Sequence, residues 1–348
     1  MTEGVGSQEN APSPLALLDM ISGAWMSQAI FVAARLGIAD RLADGPRTSD
    51  ELAASVGAHA DALYRLLRGL VSLGLCRESD GRVFELTPLG GWLRTDGARS
   101  LRAWALFWGE ALWPAWGTLL HAVKTGQSVR PLASRTKGFE DLAFKPEASK
   151  TFNDAMTGIA RLIAASLIKA YSFSGIHRLV DVGGGSGELL AAILRAYPSL
   201  RGVLFDLPHV VQSAGAHLQA AGVADRCEIA GGSFLDGVPE GGDAYCLKSV
   251  IHDWDDHRSQ TILERCRRVL PPEGRLLVIE RVLPEAIGAC AEHRGAAASE
   301  LNMLEAIGGR ERTDAEYRTL RGSAGFALTR TMPIAAYYSV IEATPIDR

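Results

Sequence analysis

The sequence predicts an α/β protein with a doubly wound, parallel sheet in its carboxyl-terminal half and a helical region before it. Three observations predict this. An apolar run at 179–182 leads into a glycine-rich turn, apolar strands alternate with amphipathic helices after that turn, and residues 49–86 follow the order helix, turn, helix, hairpin. Alternation of this kind is typical of parallel sheets covered by helices on both faces.

The glycine-rich turn lies within residues 179–207, LVDVGGGSGELLAAILRAYPSLRGVLFDL, which predict strand, turn, helix and strand in a Rossmann-like arrangement. Gly183 and Gly185 allow the backbone to bend sharply and let a ligand approach it closely. Ligands of open α/β sheets bind at the carboxyl ends of the strands. A turn that binds nothing is the alternative, but the strand before it and the helix after it favour a nucleotide-type site.

The spacing of the glycines indicates which ligand is bound. The dinucleotide pattern G-x-G-x-x-G would need glycine where Glu188 stands, and Asp181 lies two positions before the first glycine. A carboxylate so close to a pyrophosphate would repel it, whereas a cationic ligand is attracted. S-adenosylmethionine carries a sulfonium and an ammonium group, so Asp181 suits it, and Asp206 at the next strand end would accept its ribose hydroxyls.

Composition excludes several classes of protein. The 348 residues are 47% hydrophobic and 22% charged, with a net charge of −4, so no general attraction to nucleic acid or anionic membrane is expected. Five cysteines without C-x-x-C spacing indicate reduced thiols, with no disulfide framework and no metal site. No apolar run is expected to approach membrane-spanning length, so we expect a cytoplasmic, soluble protein.

The amino-terminal part is divided as follows. Residues 1–14 are polar and are predicted to be a disordered tail, and residues 15–100 form a helical, winged-helix domain. Two apolar helical pieces within 15–42 carry few charges, which predicts a partner surface such as a second subunit.

A winged-helix outline also suggests a DNA-binding regulator. Thr48 and Glu51 form a capping box, a helix at 60–73 follows, and Asp80-Gly81 indicates a hairpin. The presumed recognition helix offers only Arg65 and Arg68, and a helix that reads a DNA groove usually carries a basic stripe. A helper or dimerisation domain is therefore favoured over DNA binding.

Residues 101–171 are predicted to be a helical linker and substrate-pocket segment, and residues 172–348 the ligand-binding domain. Five of the seven tryptophans fall between 92 and 116, where they can fill a core or an interface, or can stack on a planar aromatic substrate. Residues 125–150 are predicted to be a loop, and 149–171 the helix that joins the two domains.

Three candidate reacting groups follow strands of the predicted sheet. His252 follows AYCLKSVI (244–251), Glu280 ends RLLVIE, and Glu311 follows the glycine pair at 308–309. An imidazole flanked by carboxylates is an oriented general base, suited to taking a proton from a phenol. The alternatives are a surface position for His252 and simple pairing of Glu311 with Arg310 and Arg312.

The motifs VDVGGGSG, FDLP, LKSVIHDWDD, LLVIERVLPE and GGRERT resemble those of the caffeic-acid-type small-molecule O-methyltransferases, particularly the bacterial natural-product branch. The likeness extends over nearly the whole chain from about residue 15. It implies a homodimer in which the amino-terminal domain closes part of the partner's pocket, an aromatic small-molecule acceptor, and S-adenosylhomocysteine as the product.

The resemblance also assigns residues. It implies that S-adenosylmethionine is bound by Gly183, Gly185, Asp206, Leu207 and Lys248. It implies that His252 is the base and that Glu280 and Glu311 orient it. It further implies that Trp254 packs beside the base, and that the acceptor is faced by Phe152, Met156, Asn302 and Met303.

One position departs from the family pattern. Ser233 stands where an acidic residue usually meets the adenine amine, so that hydrogen bond is weaker by about 1 kcal/mol, while Phe234 can still pack on adenine. Some relatives bind the cofactor yet hydroxylate or decarboxylate their substrates. Because His252, Glu280 and Glu311 are present, the sequence favours O-methyl transfer to an aromatic secondary metabolite without a metal.

Overall fold

The computed structural model describes residues 13–97, 100–129 and 139–346. The chain divides into two compact units, residues 1–109 and 110–348. Residues 1–12 of the predicted tail and residues 130–138 of the predicted loop lie outside the described residues. The second unit thus begins within the segment 101–171 that the sequence predicts to be a linker.

The first unit is helical with a small sheet. Its elements are α1 (Pro14–Leu36), α2 (Ile38–Arg41), β1 (Arg47–Thr48), α3 (Ser49–Val56), α4 (Ala60–Ser72), β2 (Cys76–Ser79), β3 (Val83–Leu86), a 3₁₀ turn (Gly90–Leu93) and α5 (Arg102–Phe107). The strands form an antiparallel sheet in the order β1-β3-β2. Leu52, Leu67 and Phe84 are fully buried between the helices and this sheet. The predicted capping box at Thr48 and the predicted hairpin are both confirmed.

Helix α1 corrects two expectations from the sequence. The break expected near residue 29 is absent, because α1 is continuous to Leu36, and the chain instead turns at Gly37 before α2. The expectation that no run approaches membrane-spanning length is wrong, because α1 has 23 residues and contains an 18-residue stretch with a mean hydropathy of 1.5. Asp19 and Arg35 are its only charged residues. Length and composition alone are weak grounds for a membrane helix, since helices of soluble proteins pass the same test.

The second unit begins with a run of helical elements. They are a π-helix (Trp108–Leu112, which begins at the end of the first unit), α6 (Trp113–Trp116), α7 (Leu119–Thr125), a 3₁₀ turn (Phe139–Phe144) and α8 (Pro146–Ala170). Alternating strands and helices follow: β4 (Arg178–Val182), α9 (Glu188–Ala196), β5 (Arg201–Asp206), α10 (Pro208–Val211), α11 (Ala214–Ala220), a 3₁₀ turn (Ala224–Arg226), β6 (Cys227–Gly231), β7 (Ala244–Lys248), a 3₁₀ turn (Ile251–Asp253) and α12 (Asp256–Val269).

The unit ends with β8 (Arg275–Leu283), α13 (Ala291–Asn302), a π-helix (Met303–Ile307), β9 (Arg312–Thr313), α14 (Asp314–Ser323), β10 (Phe326–Pro333), a 3₁₀ turn (Ala335–Tyr337) and β11 (Tyr338–Pro345). Its sheet has the order β10-β11-β8-β7-β4-β5-β6, and β9 pairs with the end of β8. The strands β8, β7, β4, β5 and β6 are parallel, and β11 and β10 are antiparallel to their neighbours in this order. The predicted doubly wound parallel sheet is confirmed.

The order of the strands indicates the edge of the sheet at which a ligand would bind. From β4 the chain goes first to β5 and β6 on one side, then returns to β7 and β8 on the other. The carboxyl ends of β4 and β7 therefore form the topological switch point, where open α/β sheets bind their ligands.

Glu280 lies within β8, which continues to Leu283 because β11 and β9 pair with its end. Two predicted bounds differ from the structure. The strand predicted for 244–251 ends at Lys248, because Ser249 turns the chain with a φ of +54°. The helix predicted from 298 to 307 is an α-helix to Asn302 and a π-helix beyond it.

Candidate active site

The glycine turn joins β4 to α9 at the switch point. Gly183 and Gly185 have φ values of +72° and +61°, a region of backbone conformation that favours glycine. A Cβ on Gly183 would also lie 2.7 Å from Val250 Cγ2, so a side chain has no room there. The N–H groups of Gly183 and Gly184 donate to the Phe205 carbonyl, which fixes the turn against β5.

Glu188, which stands where a dinucleotide-binding turn would have its third glycine, has a structural partner. Its buried carboxylate accepts a hydrogen bond of 2.6 Å from Arg161 of α8, and Thr157 of the same helix lies 2.7 Å from Ser186 in the turn. Helix α8 is thereby held against the turn, and Glu188 is engaged in that contact.

Two carboxylates lie at the glycine turn. Asp206 accepts hydrogen bonds from the N–H groups of Gly185 (2.8 Å) and Leu207 (2.7 Å). Burial raises its pKa, and the same two hydrogen bonds oppose that rise. Asp181 is 2% exposed, and its Oδ2 has no hydrogen-bond partner among the described residues. Burial, and then the charge of Asp206, raise the pKa of Asp181 to about 7, with Lys248 opposing.

The other predicted cofactor residues line the same edge of the sheet. Lys248 ends β7, and burial lowers its pKa to about 8. Ser233 Oγ accepts a hydrogen bond from the Leu235 N–H, so the serine stabilises its own turn. The ring of Phe234 meets the ring of Trp254 edge to face at 5.9 Å.

His252 lies in the turn after β7 and is 5% exposed. Its Nδ1 is 3.1 Å from Glu311 Oε1 and 3.4 Å from Glu280 Oε2, and its Nε2 is 3.4 Å from Asp253 Oδ1. Burial by itself lowers the pKa of His252, but Glu280, Glu311 and Asp253 together outweigh this and raise it to about 10. The structure thus brings the three predicted reacting groups together and adds a third carboxylate.

The two glutamates have different contacts. Glu280 Oε1 accepts hydrogen bonds from the backbone N–H groups of Val250 and Ile251 at 2.9 Å and of His252 at 3.4 Å, so it holds the turn that carries the imidazole. Glu311 Oε1 accepts from Ser299 Oγ at 2.6 Å and faces Nδ1 of the imidazole. Glu280 therefore fixes the backbone of His252, and Glu311 fixes its ring.

The GGRERT segment supplies Glu311 and anchors it. A Cβ on Gly309 would lie 2.1 Å from the His252 carbonyl oxygen, so only glycine allows this backbone approach. Arg312 is 1% exposed and donates hydrogen bonds to the carbonyls of Ile251 (3.1 Å) and Trp254 (2.9 Å) and to Asp256. Arg310 pairs with Glu316 and Asp256. The alternative that Glu311 pairs with its flanking arginines is therefore not what the structure shows.

The same three side chains could also bind a cation, since ligand atoms of His252, Glu280 and Glu311 lie within 4.8 Å of one another. Hydrogen bonds already account for one oxygen of each glutamate, from the turn amides and from Ser299. We therefore interpret the cluster as a hydrogen-bonded histidine with two carboxylates.

The predicted acceptor residues lie on three elements. Phe152 stacks on Phe139 with ring centroids 5.3 Å apart, and Met156 is half-buried on the next turn of α8. Asn302 Oδ1 accepts a hydrogen bond of 3.1 Å from the Trp116 indole, and Met303 is buried at the start of the second π-helix. Trp254 is packed in the core against Phe234.

Sequence reasoning missed several residues of the site. Asp253 resembles an ordinary helix-start charge in the sequence, although burial raises its pKa to about 7 while His252 opposes. Ser299 and Glu300 gave no signal, because they reach Glu311 only after α13 folds back onto the GGRERT segment.

Comparisons with known proteins agree with this geometry. Residues 116–327 match the O-methyltransferase domain, and residues 18–96 match the O-methyltransferase dimerisation domain. The phenazine O-methyltransferase of Lysobacter antibioticus is 44% identical over 335 residues, covering 96% of this chain and 97% of the relative. The mitomycin biosynthesis 6-O-methyltransferase of Streptomyces lavendulae is 37% identical, covering 96% and 95%.

A solved structure is also similar. It is an O-methyltransferase from neocarzinostatin biosynthesis in complex with S-adenosylmethionine and 2-hydroxy-5-methyl naphthoic acid. It is 35% identical with a TM-score of 0.76, covering 97% of this chain and 100% of that chain.

The hydrogen bond from Ser299 to Glu311 gives a testable prediction. Ser299→Ala should lower kcat about tenfold and leave both KM values unchanged, because Glu311 loses the donor that fixes its carboxylate beside His252. Ser299→Thr keeps the hydroxyl and should retain most turnover. Steady-state kinetics of the three proteins checks this, and equal kcat in wild type and Ser299→Ala would contradict it.

Proposed function

We propose, from the premise that the chain belongs to the O-methyltransferase family, that this S-adenosylmethionine-dependent enzyme methylates a hydroxyl group of an aromatic or polycyclic natural product. We propose further that His252 is the general base and that the enzyme works as a cytoplasmic homodimer. The observation that carries the mechanism is the buried imidazole of His252, held between carboxylates at the carboxyl edge of the sheet.

The residues at the glycine turn fit S-adenosylmethionine. Asp181 has a buried carboxylate oxygen without a partner among the described residues, and a nearby positive charge would compensate it. Asp206 keeps lone pairs for two ribose hydroxyls beyond its two backbone hydrogen bonds. Gly183, Gly185, Leu207 and Lys248 would form the rest of the site, with Ser233 and Phe234 beside the adenine. When bound, S-adenosylmethionine supplies an electrophilic methyl group.

His252 would remove the proton from the acceptor hydroxyl. Its Nδ1–H donates to Glu311, so Nε2 is the nitrogen that would take the proton. The acceptor oxygen is left with the electron pair that would form the bond to the methyl carbon, while the bond from that carbon to sulfur breaks and S-adenosylhomocysteine leaves. Glu280 and Glu311 stabilise the imidazolium that results. Beyond the proton, the protein contributes alignment of the two reactants, worth about 7–11 kcal/mol in favourable cases.

The acceptor class is supported by the relatives and by aromatic residues of the second unit. The relatives named above act on, or were crystallised with, phenazine, mitomycin and naphthoate compounds. In this chain, Trp116 and Met303 lie at the turn that leads to Glu311, and Phe152 and Met156 lie on the helix docked on the glycine turn. Flat rings and methionine suit a planar acceptor.

The dependence of turnover on pH tests the base. Because the carboxylates raise the pKa of His252 to about 10, its imidazolium form prevails at neutral pH, and kcat should rise about tenfold per pH unit on the acid side. Asp253→Asn removes one of the charges that raise this pKa, so the rise should begin at lower pH. A methyl-transfer assay with labelled cofactor over a range of pH measures both profiles.

His252→Asn is the control for this assay. It should lose about 10²- to 10⁴-fold in kcat and keep cofactor affinity, because Asn cannot accept the proton. Identical pH profiles for wild type and Asp253→Asn, or full turnover in His252→Asn, would assign the titrating group to another residue.

The role of Asp206 is tested by cofactor binding. Asp206→Asn should weaken the affinity for S-adenosylmethionine about 10- to 100-fold, since charge-assisted hydrogen bonds to the ribose are lost. Glu228→Gln, on the neighbouring strand β6 and paired with Arg178, should leave affinity unchanged. Titration calorimetry measures all three proteins, and equal affinities would rule out the ribose contact.

The exposed face of α1 supports a homodimer. Eight large apolar side chains of this helix are exposed, among them Ile21 at 69% and Trp25 at 75%, and the helix lies almost wholly within the match to the dimerisation domain. An apolar surface of this extent is rarely left open to water. A second copy of the chain, through the same helix, would cover it.

Trp25→Glu should therefore convert the dimer to monomer at micromolar concentration, because a charge cannot be buried in that interface without a partner. Ile287→Glu, on a side chain that is 56% exposed in the loop after β8, is the matched control and should stay dimeric. Sedimentation velocity distinguishes the two, and a dimeric Trp25→Glu would show that α1 is not the interface.

A further inference from the structure

The carboxylate of Glu305, outside the cluster of His252, Glu280 and Glu311, is buried with few hydrogen-bond partners. Glu305 is fully buried in the π-helix Met303–Ile307. No cation of the described residues forms an ion pair with it, and its Oε2 has no hydrogen-bond partner among them. A buried carboxylate normally has a cation or several hydrogen-bond donors, so Glu305 requires an explanation.

Its other oxygen is only partly satisfied. Glu305 Oε1 accepts from Thr118 Oγ1 at 2.5 Å, and the same hydroxyl lies 2.8 Å from the Ala115 carbonyl oxygen. A threonine hydroxyl has one proton, so it cannot donate fully to both acceptors. Glu305 therefore has the use of less than one complete hydrogen bond from the described residues.

The π-helix places Glu305 close to the reaction centre. This turn ends at Gly308, and Gly309 is in backbone contact with His252. On its other side, Trp116 donates to Asn302, and Thr118 contacts Glu305 itself. Glu305 thus lies between Thr118, just after α6, and the turn that carries His252. The π-helix that carries it is of a type that is rare overall and is often found at functional sites.

We propose that Glu305 is a specificity residue whose Oε2 accepts a hydrogen bond from an N–H or O–H group of the acceptor. The preferred acceptors are then aromatic compounds that carry a second hydrogen-bond donor, an amino group, ring N–H or further hydroxyl, besides the hydroxyl that is methylated. This inference rests on the proposed function and deepens it.

Energetics favour a donor on the ligand over a passive buried group. A site built to hydrogen-bond a substrate rejects an analogue that lacks the group, because the buried polar atom is then left unpaired. An acceptor with the second donor should therefore react with a kcat/KM about 10- to 100-fold above that of its counterpart without it.

The experiment uses matched acceptors and the full-length enzyme. The probes are 1-naphthol and 1-hydroxyphenazine, each beside its counterparts with a second hydroxyl or an amino group. We would measure kcat/KM for each, and acceptor affinity by calorimetry in enzyme loaded with S-adenosylhomocysteine. Glu305→Leu removes the acceptor oxygens at similar volume, Glu305→Gln keeps one oxygen, and Glu292→Leu on the exposed start of α13 is the control.

We expect wild type and Glu292→Leu to prefer the donor-bearing members, Glu305→Leu to lose that preference, and Glu305→Gln to keep part of it. Equal reaction of both members of every pair in wild type, or a preference unchanged in Glu305→Leu, would overturn the inference and leave the proposed function intact. Methyl transfer to no member of the panel would overturn the proposed acceptor class, and this inference with it. The wild-type comparison needs no variant, so it decides the matter even if Glu305→Leu does not fold.

Discussion

The hydrogen bonds from one carboxylate oxygen of Glu280 to the turn after β7 are the interaction on which the site depends. Glu280 is fully buried in β8, so its position is set by the strand pairing of β7 and β11 on its two sides. The turn at 250–252 has N–H groups that would otherwise be buried without partners, and Glu280 accepts from them. The rigidity of the sheet is thereby transmitted to the backbone of His252.

A single oxygen of Glu280 cannot also hold the imidazole ring in a fixed orientation, and Glu311 supplies that second constraint. It comes from a different segment, which reaches His252 because Gly309 allows the two backbones to touch and Arg312 binds the carbonyls on the far side of the turn. The imidazole is thus held at Nδ1 by Glu311, whose position depends on the backbone contacts of Gly309 and Arg312. The consequence is a buried histidine with Nδ1 facing Glu311 and Nε2 on the side of Asp253, the nitrogen that would take the proton in the proposed reaction.

The electrostatics of the whole edge fit a cationic ligand. Asp181 and Asp206 lie at the glycine turn, and Glu280, Glu311 and Asp253 surround His252, while Lys248 stands between the two groups. Burial raises the pKa of Asp181 to about 7, which means that its ionised form lacks compensation in the protein alone. A bound positive charge would lower that pKa and would also disfavour the imidazolium of His252, since like charges repel. Binding of the methyl donor would therefore shift the histidine towards the form that can act as a base.

Whether the sequence predicts a residue of this site depends on which structural element positions that residue. Asp206, Lys248 and Glu280 lie on parallel strands, and apolar runs identify such strands, so the sequence alone predicts that they share one edge of the sheet. Gly183 and Gly185 could be predicted because only glycine suits that turn. Ser299 and Asp253 could not, since their roles arise from the folding of α13 and from a turn that begins three residues earlier than the strand pattern indicates.

The same distinction explains why residues that would bind the acceptor are harder to predict than those that would bind the cofactor. The residues proposed to bind the cofactor lie at strand ends and in a turn whose backbone is fixed by hydrogen bonds to β5, and strands have a simple sequence period. Asn302 and Glu305 lie where α13 passes into a π-helix, and one extra residue in that turn changes which side chains face inward. A helical period extrapolated through residue 302 therefore cannot specify which side chains point towards Trp116 and Thr118. The buried carboxylate of Glu305, with one oxygen that has no hydrogen-bond partner among the described residues, becomes visible only when that turn is seen in three dimensions.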